Sequence, residues 1–188
     1  MKFWWYFEWP SDIRKYTLKY WRSNKDGKLI SINVLQYAAM IINYVACSCY
    51  LQIYPDPSDP FPLVCLFGDN SSAESWMTKT CTSSLQGRAL GRILCALMID
   101  NPVGTDIQHV TTENNGTADA ISRFKSESDT LRGIASLMQD CPQLAGSKRF
   151  QPSSTLISLI MDAISQKKLL DPLTVSSNIG KTPGQFTS

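Results

Sequence analysis

The stretch LVCLFGDNSS, residues 63–72, decides how the rest of the chain is read. Leu63 to Gly68 is a continuous uncharged run with the length and composition of a central strand buried on both faces. Asp69, Asn70, Ser71 and Ser72 follow with short polar side chains that suit the free amides of a helix start, so a helix is expected from about Ala73. In α/β sheets ligands gather at the carboxyl ends of strands. The helix start favours an anion, so Asp69 is expected ionised and open to a cation. A simple cap by Asp69 or Asn70 explains the same residues equally well.

Upstream, Pro55 to Pro62 holds four prolines and reads as a rigid loop. Residues 34–53 carry no charge and read as a long helix covered on most sides. The same run raises a membrane span, but it contains Gln36, Asn43, Ser48 and Gln52 and has no closely flanking basic residue. A helix buried in protein is the better reading, and no membrane is expected as a partner. Before it, Leu29 to Asn33 reads as a short strand after a turn at Asn24 to Gly27, and the aromatic run 2–9 as a strand stopped by Pro10. Packing on a sheet is favoured over base stacking for these aromatics.

Downstream, a helix is expected from about Gln86 to Ile99. Gly87 and Gly91 permit close packing on one of its faces, and Arg88 and Arg92 share another. Ile107 to Thr111 reads as a strand, Asn114 to Gly116 as a turn, and Thr117 to Phe124 as a helix. The sheet pattern ends at Lys125. Asp129 to Gln139 and Thr155 to Leu170 read as amphipathic helices, the second capped by Ser153 or Ser154, and the tail from Thr174 lacks periodicity. The expected architecture is a mixed α/β sheet with packed helices over 1–125, a helical extension over 126–172 and a disordered tail over 173–188.

Hydrophobic residues make up 43% of the 188 and charged ones 18%, which indicates a packed body rather than a disordered chain. A net charge of +2 is too mild to argue for nucleic acid. Its distribution says more: residues 1–30 hold seven basic side chains against three acidic ones, which makes the front the phosphate-facing side or a merely solvated basic surface. Cys47, Cys49, Cys65, Cys81, Cys95 and Cys141 include no C-x-x-C pair and read as buried, reduced thiols. No secretory signal is evident, and an intracellular location, cytoplasmic or nuclear, is expected.

A second acidic residue, Asp119, enters a helix just after a strand and a tight turn. Carboxylates from two strand–helix junctions can converge on a hard divalent cation such as Mg2+, and paired ions can clamp both oxygens of a phosphodiester displacement. His109, the only histidine, has no serine or cysteine motif beside it and reads as structural when taken alone.

Three segments carry a resemblance. His109 to Arg123 resembles the closing motif of retroelement ribonuclease H domains, His-[aliphatic]-Pro-Gly followed by Asn-x-x-Ala-Asp-x-[Leu/Ile]-Ser-Arg. Asn115, Ala118, Asp119, Ser122 and Arg123 match in register, while Thr111 and Thr112 replace the Pro-Gly pair. Asp69, Asn70, Ala73 and Trp76 resemble that family's Asp-Asn-x-x-Ala-x-x-Trp segment. Ile32 to Ala39 resembles the Ile-Asn-x-Leu-Glu-x-x-Ala opening of its first helix, with Gln36 where the family has a catalytic glutamate. The resemblance spans about residues 2–124. It implies a ribonuclease H-like fold of a long-terminal-repeat-type reverse transcriptase, with Mg2+-dependent cleavage of RNA in RNA–DNA hybrids.

Under it, Asp69, Asp119, Gln36 and His109 would form the catalytic corner, with Asp69 and Asp119 on the metal. Asn70, Lys79, Arg88, Arg92 and Arg123 would contact nucleic acid. The family's first strand and its aspartate have no counterpart here, and a neutral Gln36 offers a cation a weaker single oxygen. An inactive, degenerate fragment is therefore expected, with its neighbours left open by the missing strand and other parts of a polyprotein as candidate partners. A non-catalytic α/β nucleic-acid-binding or protein-interaction module is the alternative.

Overall fold

Twenty-two residues without a charge need cover on every side, and that requirement organises the molecule. In the computed structural model, which describes residues 3–18, 30–59, 62–80, 82–116, 127–140, 146–165, 171, 177 and 183–187, this segment is helix α2, Ile32–Ile53. Ser31 caps it by accepting from the Asn33 amide at 3.2 Å. The strand expected over Leu29 to Asn33 does not form at residues 30–33, because Ser31 takes the capping role and the helix begins at once. Tyr37, Ala38, Ile41, Ile42 and Ala46 of α2 are fully enclosed. An aliphatic side chain of this size contributes roughly 1.5–3 kcal/mol when removed from water. By length and composition α2 would cross a membrane, but 67% of its most apolar window is buried inside the protein, as expected of a core helix.

Around α2 the chain order is β1 (Phe3–Trp4), α1 (Ser11–Leu18), α2, β2 (Leu63–Gly68), α3 (Ser71–Lys79), α4 (Leu85–Asp100), β3 (Gly104–His109), a short 3-10 turn (Thr112–Asn114), α5 (Glu127–Asp140), β4 (Lys148–Pro152), α6 (Ser154–Ile164) and β5 (Gly184–Thr187). It is a mixed α/β protein, as the sequence indicates. Among the described residues, two separate sheets carry it. β2 and β3 run parallel in register from Leu63 opposite Gly104 to Gly68 opposite His109. β4 lies between β1, parallel to it, and β5, antiparallel to it.

Several expectations are corrected. The sheet pattern does not end at Lys125: β4 and β5 lie beyond it, so the 126–172 segment is not a purely helical extension. The tail is ordered at Gly184–Thr187, where Gly184 packs so closely on Phe150 that a Cβ would meet its ring at 2.3 Å. The aromatic run contributes only the two-residue strand Phe3–Trp4, whose Phe3 ring meets those of Phe150 and Phe186 at 6.4 and 5.4 Å. β2 is not buried on both faces. Helices cover only its Val64 and Leu66 side, while Leu63 is 63% and Phe67 57% exposed. Cys65 on that open side is likewise exposed, unlike the buried Cys49.

Other elements form where expected, with small shifts. α4 packs close to the end of α3 because it presents Gly91 there, where a Cβ would sit 3.2 Å from the Thr80 carbonyl oxygen. Ser153, of the two serines considered, caps α6 by accepting from the Leu156 amide at 3.2 Å. The Thr117 to Phe124 helix, with Asp119 and Arg123, lies outside the described residues, as do Cys81 and Cys141.

Candidate functional site

The parallel strands β2 and β3 stop side by side, and polar residues collect where they stop. Asn70 caps α3 by accepting from the Ala73 amide at 2.9 Å. Its amide donates to Asn33 Oδ1 at 2.9 Å, which ties the start of α3 to the start of α2. Asn70 is thus the cap and Asp69 is free of that duty.

Asp69 instead receives two side-chain amides. Gln36, on the first turns of α2, donates through Nε2 to Asp69 Oδ1 at 3.3 Å. Asn115, just past the 3-10 turn that follows β3, donates through Nδ2 to Asp69 Oδ2 at 3.3 Å. Three segments separated by 33 and 46 residues thereby meet on one carboxylate. Gln36 Oε1 is buried without a hydrogen-bond partner.

Beside this cluster, His109 Nδ1 lies 2.9 Å from Glu74 Oε1. The Glu74 side chain is 13% exposed and that of His109 53%, so a sheltered carboxylate orients a half-exposed imidazole. Glu74 went unnoticed in the sequence. The signal lay in geometry: the β2–β3 register sets His109 opposite Gly68, and the first turn of α3 brings Glu74 back over the same strand end. Gly68 leaves room for this, since a Cβ there would stand 3.3 Å from Glu74 Oε1.

Hard cations take oxygen ligands, commonly several carboxylates. Here both Asp69 oxygens already accept from amides, and among the described residues no group of three or more His, Cys, Asp and Glu side chains is placed to hold a metal. The described residues do not fit such an ion. Asp119, the expected second carboxylate, lies outside them.

Of the expected nucleic-acid contacts, Asn70 is inside the cluster. Lys79 ends α3, about 12 Å along the helix from its first residue, Ser71, at 1.5 Å per residue. Arg88 and Arg92 stand on the exposed side of α4, one turn apart, and all three cations are solvent-exposed. Thr80, just after Lys79, is the left-handed cap of α3 at φ 50°, and among the described residues it is the sole non-glycine with positive φ.

No family model, curated protein or solved structure matches the chain.

Proposed function

We propose that this chain is a ribonuclease H-like domain of a retroelement reverse transcriptase, degenerate in its cation site, which holds RNA–DNA hybrid or related nucleic acid without cleaving it. The observation that carries this reading is the meeting of Gln36, Asp69 and Asn115. These residues belong to the three separate segments that bear the resemblance, and their meeting at one strand end is what the resemblance calls for. Support for inactivity comes from the same atoms. Among the described residues, a carboxylate clothed by two amides, with Gln36 in place of a second acid, is a poor clamp for an ion shared with a phosphodiester.

Without a bridging cation, affinity rests on direct phosphate contacts from Lys79, Arg88 and Arg92, and it should fall with salt as counterions are released. The imidazole held by Glu74 presents a further polar group at the same end of the strands. A second reading, a protein-interaction module with no nucleic-acid role, is favoured by the exposed Leu63 and Phe67.

The test is fluorescence anisotropy with a labelled RNA–DNA hybrid across a salt series, with a gel readout of cleavage in magnesium. Binding should weaken linearly on a log–log plot, and the Arg88→Ala, Arg92→Ala double variant should lower the slope by about 2, one per lost phosphate contact. Failure to bind at low salt removes the nucleic-acid reading and leaves the interaction module. Magnesium-dependent cleavage that vanishes in Asp69→Asn removes the claim of inactivity.

A further inference from the structure

The aromatic run at the front of the chain divides between two faces. Phe3, Trp5 and Trp9 pack against the core, and Trp5 Nε1 donates to Asn43 Oδ1 of α2. Trp4 turns to the opposite face of the β1-β4-β5 sheet. There Arg149, its partner across the strands, sets a guanidinium 5.6 Å from the ring centroid. Strand alternation decides what else stands on that face. Phe150 and Phe186 point inward to meet Phe3, so Arg149, Gln151, Gln185 and Thr187 point outward beside Trp4. Gln151 lies directly opposite Gln185, and both are exposed.

This outer face is built of planar and amide groups. A guanidinium beside an indole is a stacking platform for a flat π-system, and the contact between them holds the arginine in place. The paired glutamines add donors and acceptors that match base edges. The three strands carry Lys148 and Arg149 and no acid. Residues 1–30, which supply β1, hold seven basic side chains against three acidic ones. The charge therefore complements a polyanion. Bases in a duplex are stacked on one another and show only their edges, so a sheet face of this kind engages bases where they are unpaired.

We propose that the outer face of the β1-β4-β5 sheet binds single-stranded nucleic acid. One base stacks against the Trp4–Arg149 pair, the arginine meets the adjoining phosphate, and Gln151 and Gln185 hydrogen-bond a base edge. The face shares no residue with the β2–β3 strand end or with Lys79, Arg88 and Arg92, so it stands or falls apart from the hybrid-binding reading.

The full chain is titrated into labelled decauridine and decathymidine at low salt, with fluorescence anisotropy as the readout. Both should bind saturably and with similar affinity, since every base has a face to stack. Trp4→Leu should weaken binding about tenfold, the loss of one stacked base, and Trp4→Phe should restore most of it. Arg149→Gln should lower the log–log salt slope by about 0.7, the value for one phosphate contact on a single strand. Circular dichroism and melting temperature establish that each variant is folded. Independently of the variants, ultraviolet irradiation of the wild type with a bromouridine-substituted oligonucleotide should cross-link at Trp4, mapped by mass spectrometry. Absence of saturable binding to either strand, a folded Trp4→Leu that binds like the wild type, or cross-links confined to peptides outside this sheet overturns the proposal.

Discussion

The two sheets of this protein use their side chains differently. β2 and β3 end in a polar cluster of Asp69, Asn115, His109 and Glu74, and one face of the pair is open to solvent. β1, β4 and β5 come from distant parts of the chain and are held by rings: Phe3, Phe150 and Phe186 lie within 5.2–6.4 Å of each other. Where a sheet closes on aromatic rings it serves as a clasp. Where strands stop beside helix starts, side chains are left facing outward and chemistry becomes possible. The same chain thus separates stability from the candidate site.

The largest effect should come from breaking the clasp. Phe150 is 1% exposed and touches both other rings. Phe150→Ala should cost about 3–5 kcal/mol in urea unfolding, the range for truncating a core phenylalanine. A loss below about 1 kcal/mol would mean that the terminal sheet does not share the core, and the comparison would fail.

A second probe of the clasp side is Cys49, 5% exposed, whose thiol receives a backbone hydrogen bond associated with Gly184 of β5. Burial pushes this thiol up to about 11 from its ordinary 9.0. An unfolded chain releases the proton near pH 9 while the folded one keeps it. Stability from this group is therefore complete below pH 9 and declines as pH rises through 11, by on the order of 2 kcal/mol across the window. Cys49→Ala should flatten that decline in a pH series of unfolding midpoints. Equal slopes in variant and wild type would show that the thiol is not shielded as its burial implies.

The clasp was also the part least legible in the sequence. β4 and β5 are five and four residues long, and their pairing depends on contacts across more than thirty positions, so no local period announced them. Gly184, which looks like a breaker in a frayed tail, is needed because the Phe150 ring occupies the place of its Cβ. On the other side, α2, β2, α3, α4 and β3 were readable from uncharged runs, short polar caps and glycine spacing, all local signals. Asp69 is legible from its residue type and strand–helix context, Gln36 only through the resemblance carried by Ile32 to Ala39. Glu74 was missed because only the strand register brings it to His109. The open face of β2 was missed too: an apolar run shows that a strand can be buried without showing what covers it.

A third prediction sharpens the site side of the comparison. Gln36→Glu sets a carboxylate where an amide now donates to Asp69 at 3.3 Å. Without metal, the lost donor and the like-charge contact should cost about 1–2 kcal/mol. Millimolar magnesium should recover part of this in the variant, seen as a rise in melting temperature, because two acids now offer oxygen ligands to one ion. Wild type should not respond. An equal magnesium shift in both proteins would show that Asp69 recruits a cation despite its amides, and the degenerate-site reading would be lost.

The smallest effect concerns backbone rather than side chains, and it has the opposite sign. Thr80 holds φ 50° and ψ 17° at the end of α3. A β-branched residue there crowds its own carbonyl, and only a local hydroxyl contact to the Lys79 carbonyl oxygen at 2.8 Å offsets it. The turn cannot relax outward because Gly91 of α4 is packed against the Thr80 carbonyl. Thr80→Gly should therefore stabilise the protein by about 1 kcal/mol, since glycine adopts this conformation without the steric cost. A guanidinium titration at constant slope measures it. A destabilised variant would mean that the corner between α3 and α4 is held by the threonine side chain, and that the α3–α4 side of the molecule carries no strain that the aromatic clasp must offset.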